Sequence, residues 1–200
     1  MKRSLTVLAL LLATPAAWAS GSADFTVLRD GTPIGHHRVL VSHEGEETRV
    51  EVDIALNVSL GFIPLYRYRH QSREVWRNDR LTALDSTTDD NGEQFRVTAR
   101  AVQAGLQVTA GSQTLVLPDD TVPTSYWNPS LISGRTVLDS QEGRRLDLSV
   151  TPAAPGRWQL RGDVNLDIGY DQQGQWTGLW FRHTGSDFTY VPRAMAERRP

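Results

Sequence analysis

From Thr48 to Trp76 the chain alternates apolar and polar residues with a period of two, over a stretch long enough to dictate its architecture. Thr48, Val50, Val52, Ile54, Leu56, Val58 and Leu60 fall on one side, and Arg49, Glu51, Asp53, Ala55, Asn57 and Ser59 fall on the other. Side chains leave an extended backbone alternately on its two faces, so this pattern is a strand with one buried and one wet face. Residues 48–60, at about 3.3 Å each, span roughly 40 Å. A strand of that length in a small domain belongs to a strongly curved sheet or a barrel.

The next segment keeps the period but changes the chemistry. Tyr66, Tyr68, His70, Ser72, Glu74 and Trp76 share one face, and Leu65, Arg67, Arg69, Gln71, Arg73, Val75 and Arg77 share the other. Residues Gly61-Phe62-Ile63-Pro64-Leu65 read as a five-residue hairpin loop that keeps Pro64 out of the ladder. With Leu60 opposite Tyr66, the aromatic face joins the aliphatic one and the arginines point to water. A slip of one residue would bury those arginines, so burial fixes the register.

Further strands follow between turn signals: Phe25–Arg29, Ile34–His43, Leu81–Thr88, Gln94–Val102, Leu106–Ala110 and Thr114–Leu117. Later come Arg135–Leu138, Arg144–Val150, Trp158–Arg161, Val164–Tyr170, Gln175–His183 and Phe188–Val191. Such spacing predicts an all-β fold, a curved antiparallel meander forming an open or closed barrel. One place breaks the pattern. In Trp127-Asn128-Pro129-Ser130-Leu131-Ile132-Ser133-Gly134, Asn128 can cap a helix that Pro129 starts and Gly134 ends. Residues 128–133 are therefore expected as one short helical plug.

Lys2-Arg3, the apolar run Leu5–Ala13, and Ala17-Trp18-Ala19 make the three-part pattern of a secretory signal peptide. Residues 1–19 are read as that leader, cut between Ala19 and Ser20, with a single β-barrel-like domain over 20–194 and a frayed tail over 195–200. Export implies a periplasmic protein. Lys2 is the only lysine, and loss of the leader turns a net charge of −2 into −4. A chain without basic excess does not bind nucleic acid. With no cysteine it has no disulfide, thiolate nucleophile or zinc–thiolate site.

Signatures of chemistry are sparse. The nucleophile elbow, H-E-x-x-H, the P-loop and the dinucleotide fingerprint are absent. His36-His37 would face opposite sides of a strand and read as surface histidines, so no metal site is expected. Asp89-Asp90-Asn91-Gly92-Glu93 reads as a solvated hairpin tip, and Asp119-Asp120 and Asp139 as loop or turn residues. No cofactor is implied. The candidate ligand-binding residues are Tyr66, Tyr68, His70, Glu74, Trp76, Trp127, Trp176 and Trp180. Two readings of them stand: packing of a β core, or a concave lining with polar anchors at His70 and Glu74. Trp176, Gly178 and Trp180 are expected on one face, with the glycine leaving a gap between two rings.

At Asp30-Gly31-Thr32-Pro33-Ile34-Gly35, at Tyr66–Trp76, at Ser125–Leu131 and at Gly162–Gly174, the chain resembles an exported bacterial β-rich family of unknown function. The resemblance spans most of the mature chain and carries no catalytic residues with it. The outline of a long meander with a small plug is also similar, in shape only, to the lipoprotein carriers LolA and LolB. Together these features predict a non-enzymatic periplasmic protein that binds an apolar or amphipathic small molecule in its concave face. The alternative is an interaction or scaffold module that pairs with a cell-envelope protein. A hydrolase ranks third, because no nucleophile, base and orienter can be assembled from the sequence.

Overall fold

A computed structural model of the chain describes residues 23–60 and 63–193. The predicted leader, the tail over 195–200 and the residue pair Gly61-Phe62 lie outside the described residues. Eight strands open the domain: β1 (Ala23–Arg29), β2 (Thr32–Glu44), β3 (Glu47–Leu60), β4 (Ile63–Arg77), β5 (Arg80–Asp90), β6 (Glu93–Val102), β7 (Gly105–Ala110) and β8 (Gln113–Leu117). An insert follows, made of β9 (Val122–Pro123), a 3₁₀ helix (Pro129–Ile132), β10 (Val137–Leu138) and β11 (Arg145–Leu146). Five strands close the domain: β12 (Leu148–Ala154), β13 (Arg157–Gly162), β14 (Leu166–Tyr170), β15 (Trp176–His183) and β16 (Ser186–Pro192).

Thirteen of these strands form one antiparallel sheet, in the order β12-β13-β14-β15-β16-β1-β2-β3-β4-β5-β6-β7-β8. The sheet is curved but open: β12 and β8 are its two edges, and no ladder joins them. Pairing of β16 with β1 brings the last strand beside the first in mid-sheet. The insert forms its own three-stranded sheet and packs into the concave side. An open barrel with a plug is thus the observed form of the predicted meander.

The long hairpin β3–β4 positions everything else. Val50, Val52, Ile54, Leu56 and Val58 stand opposite Glu74, Ser72, His70, Tyr68 and Tyr66. Tyr66 faces Val58 rather than Leu60, because the strands run on to a Leu60–Ile63 pair with a bulge after Val58. The shift is two residues, an even number, so each side chain keeps its predicted face. Pro64 lies within β4 opposite Ser59 instead of in a loop. It is tolerated because β5 stops pairing at Tyr68, which leaves that flank of β4 as an edge.

On the convex face the arginines meet carboxylates across strands. Arg77 pairs with Glu47, Arg73 approaches Glu51 at 3.6 Å, Arg67 reaches Asp89 at 2.7 Å, and Arg100 reaches Asp85 at 2.7 Å. Solvent screens such exposed pairs, so each contributes little to stability. Their common placement matters more, since a slip would drag this charged row into the core.

The plug follows its sequence signals. Asn128 has extended backbone, and its side chain accepts from the Ser130 amide at 2.9 Å. Pro129 occupies the first turn, and Gly134 leaves the helix with a φ of +80°. Leu131 is buried. The expected strand Arg144–Val150 divides at Asp147, whose amide turns aside to the Asp163 carboxylate at 2.8 Å. Beyond it β12 continues through Pro152 to Ala154, which proline permits because β12 is an edge strand.

At Gly35 the β2 and β3 backbones approach so closely that a Cβ would lie 1.9 Å from the Ala55 carbonyl oxygen. Gly35→Ala must therefore push these strands apart. We expect a loss of about 3 kcal/mol, at the severe end for single substitutions, read from urea denaturation of the purified protein.

Candidate functional site

Inward-facing residues at one end of the sheet surround a cavity of about 720 Å³. Ligand pockets typically occupy roughly 300–1,000 Å³. The cavity is formed by strand ends that all lie at the same pole: Ile34 on β2, Leu56 and Val58 on β3, Tyr66 on β4, Asp90 on β5, Phe181 on β15 and Phe188 on β16. The opposite pole is shut. There Arg135, just past the plug, bonds the Asp79 carbonyl and carboxylate in the β4–β5 turn, and Trp127 reaches Glu74. The molecule is a cup, open at one end.

One wall of the cup is apolar. Ile34, Ile54, Leu56 and Val58 face Phe181, Phe188 and Tyr190 across it, and Leu146 and Val164 complete the lining. Phe181 and Phe188 stack with ring centroids 4.7 Å apart and planes 5° from parallel. The other wall is polar and tightly bonded within itself. Tyr66 donates to Asp90 Oδ1 at 2.7 Å, Tyr68 donates to Gln141 Oε1 at 2.9 Å, and the Gln141 amide donates to Asp90 Oδ2 at 3.3 Å. Burial, followed by the Asp90 carboxylate, pushes the Tyr66 phenol well above its ordinary range; burial does the same to Tyr68.

His70 sits at the centre of the polar wall. Its Nδ1 is 2.8 Å from Thr88 Oγ1, and its Nε2 is 3.5 Å from Ser140 Oγ. Ser140 also contacts Thr124 Oγ1 at 3.1 Å, and its carbonyl accepts from Ser86 at 2.6 Å. Burial lowers the His70 pKa to about 4, so the ring is neutral at pH 7. Asp139 nearby is held by the backbone amides of Gln141 and Glu142, at 2.8 and 3.3 Å. Burial nevertheless pushes its carboxyl above the ordinary carboxylate range.

Of the eight predicted residues, Tyr66, Tyr68 and His70 line the cavity. Three others form a separate cluster at the closed pole. Glu74 Oε2 accepts from both indoles, Trp76 at 2.7 Å and Trp127 at 3.0 Å, and the two rings meet edge to face with centroids 5.6 Å apart. Glu74 is 1% exposed, and its Oε1 has no hydrogen-bonding partner among the described residues. Burial pushes its carboxyl above the usual range, against the pull of Trp127, Trp76 and Ser125. This cluster bolts the plug to the sheet.

Trp176 is core. It packs on Phe25 at 4.3 Å and on His37 at 4.9 Å between ring centroids, and its Nε1 donates to the Gly178 carbonyl at 3.0 Å. Trp180 is a correction. It lies on the convex face beneath the Arg157 guanidinium, 4.1 Å from its centre. A bulge between Gly169 and Tyr170 pairs Ile168 with Leu179 but Tyr170 with Trp176, so Thr177 is an extra residue that reverses the faces beyond it. The gap expected at Gly178 is filled by Trp180 itself, whose ring would come within 2.7 Å of a Cβ there.

The other correction concerns His37, which is fully buried rather than on the surface. Its ring lies among Trp176, Tyr190 and Tyr126, and neither nitrogen has a hydrogen-bonding partner among the described residues. Desolvation brings its pKa down to about 3. His36, on the opposite face, binds Asp53 at 2.6 Å. Residues not singled out from sequence also line the cup, notably Arg29, Ser140, Gln141 and Tyr190, and Asp90, expected in a solvated hairpin tip, stands in its wall instead. Arg29 was within reach, since it continues the inward series Phe25, Val27, Arg29. Ser140 and Gln141 were not, because the insert has no periodicity that orients a side chain.

The sequence profile of a family described as a domain of unknown function, DUF6134, matches residues 25–193, and the chain belongs to that family. No curated protein matches it. The fold is similar to the crystal structure of a β-barrel-like protein of domain of unknown function DUF1849 from Brucella abortus. That likeness has a TM-score of 0.57 and 10% identity over 86% of this chain and 94% of that one, and it bears on the fold alone. A DUF1089 family protein from Pseudomonas aeruginosa is similar at a TM-score of 0.44 and 12% identity, over 88% of this chain and 95% of that one.

Two outcomes follow for the buried polar groups. Glu74→Gln keeps an acceptor for both indoles and should stay within about 1 kcal/mol of the parent at pH 7, whereas Glu74→Leu leaves the buried Trp76 indole without its acceptor and removes the Glu74 bond of Trp127, and should lose about 2–4 kcal/mol in urea denaturation. For His37 the folded pKa lies below the unfolded value, so its contribution to stability is present above pH 6.5 and is lost as pH falls towards about 3. In His37→Phe the fall in stability with acid should be shallower by up to about 1.4 kcal/mol per pH unit across that window, as followed by melts from pH 7 to 4.

Proposed function

We propose that this member of the DUF6134 family is an exported, periplasmic binding protein that holds an apolar or amphipathic small molecule in the open cup. The observation that carries the reading is the cup itself. A core that needed only to be filled would not leave about 720 Å³ bounded by aliphatic residues on one side and a hydrogen-bonded polar wall on the other. Export is supported by the charged, apolar and small-residue segments of residues 1–19.

A second reading, a serine hydrolase, has one geometric point in its favour: Ser140 Oγ faces His70 Nε2 inside the cavity. Three features weigh against it. The separation of 3.5 Å is at the limit of a hydrogen bond. The partner of the other ring nitrogen is the Thr88 hydroxyl rather than a carboxylate. A base with a pKa near 4 is also far from the value that serves general-base catalysis at neutral pH. Binding is the reading that uses the whole lining.

Native mass spectrometry of the protein purified from its own periplasm tests the proposal. The expected spectrum shows a chain beginning at Ser20 with a co-purifying small molecule, and Leu56→Trp, which narrows the cavity with an indole on its apolar side, should retain less of that molecule while keeping its melting temperature within a few degrees. A ligand-free parent that also fails to take up any apolar dye would refute the binding role. Covalent capture of Ser140 by a fluorophosphonate would favour the hydrolase instead.

A further inference from the structure

We infer that the ligand of the cup carries an anionic head group, a carboxylate, and that Arg29 holds it at the mouth. This deepens the binding role above and rests on it. Arg29 is on the inner face of β1 at the open pole, paired across the ladder with Phe188. Its Nε donates to Ser186 Oγ at 2.9 Å, which fixes the plane of the guanidinium. The nearest carboxylate, Asp30, approaches only to 4.0 Å. The two terminal nitrogens of Arg29 have no hydrogen-bonding partner among the described residues. A planar fork with two free donors, fixed at one edge and one-third exposed, presents the geometry that takes a carboxylate bidentately.

The surroundings favour an amphiphile over a free anion. Phe181 and Phe188 stack immediately inside the mouth, and Leu56 and Ile54 line the cavity further down. A ligand with its head on Arg29 would therefore run its chain along the apolar wall. The cavity's own carboxylates do not compete for the guanidinium. Asp90 is engaged by Tyr66 and Gln141, and Asp139 by two backbone amides. His183, from the β15–β16 hairpin, lines the same rim and offers a further donor.

Displacement of the neutral dye N-phenylnaphthylamine from the delipidated mature protein, by decanoate and by decanol at pH 7, separates the possibilities. The parent should bind decanoate about tenfold more tightly than decanol, the size of effect expected of a charge-assisted pair at a half-open site. Arg29→Gln should abolish that preference, losing far more affinity for decanoate than for decanol, and Arg29→Lys should restore part of it. Decanol binding by Arg29→Gln reports that the cup is still folded. Equal affinities in the parent, or a preference that survives Arg29→Gln, would overturn the assignment of the head group while leaving the apolar cup standing. Failure of both compounds and of the dye to bind would overturn the ligand site and this assignment together.

Discussion

The parity of the β3–β4 ladder is the constraint on which the rest of the structure depends. Every even-numbered residue from Val50 to Val58 faces an even-numbered residue between Tyr66 and Glu74, and all of them point inward. Moving this pairing by one residue would exchange His70, Glu74 and Tyr68 for Arg69, Arg73 and Arg67 in the interior. Burying unpaired guanidinium groups costs several kcal/mol each. No rearrangement elsewhere in a domain of this size offsets that. The neighbouring strands inherit the same parity through their own ladders, so the wall chemistry of the cup is decided here.

What the interior does with that parity differs along the hairpin. At the closed pole the large groups are matched by the insert: Glu74, already bonded by Trp76 of its own strand, receives the Trp127 indole, and Leu131 is buried with Trp76 in the core. At the open pole the same face continues, but the insert contributes only Thr124, Tyr126, Asp139, Ser140, Gln141 and Leu146 to the lining, and space remains. One continuous strand face thus serves as core at one end and as lining at the other. The aromatic residues of this hairpin pack into the core at the closed pole and border a cavity at the open one.

This explains how much was legible in the sequence. Strand positions, the inward and outward faces of β3 and β4, and the caps of the plug follow from local rules that act within a few residues. Leu60–Tyr66 pairing gave way to Val58–Tyr66 because hairpin length depends on a bulge that leaves no mark on the alternation. Trp180 moved to the outside for a related reason, since one extra residue at Thr177 reverses the period without interrupting it. His37 reads from sequence as a surface residue, although its position on β2 shares the inward face of Val39. Ser140 and Gln141 enter the site through an irregular insert, where only the folded chain brings residues 54–73 positions apart into contact.

The absence of a ladder between β8 and β12 has a mechanical consequence. A closed barrel has a radius set by its strand number and stagger, and it cannot widen without breaking hydrogen bonds. This sheet is under no such rule. Its radius is set by what stands between its edges and inside its curve, namely the insert, fastened through Trp127, Ser140, Gln141 and the Tyr170–Tyr126 bond. The insert acts as a spacer. Small changes in its seating would alter the bore of the cup while every strand keeps its neighbours.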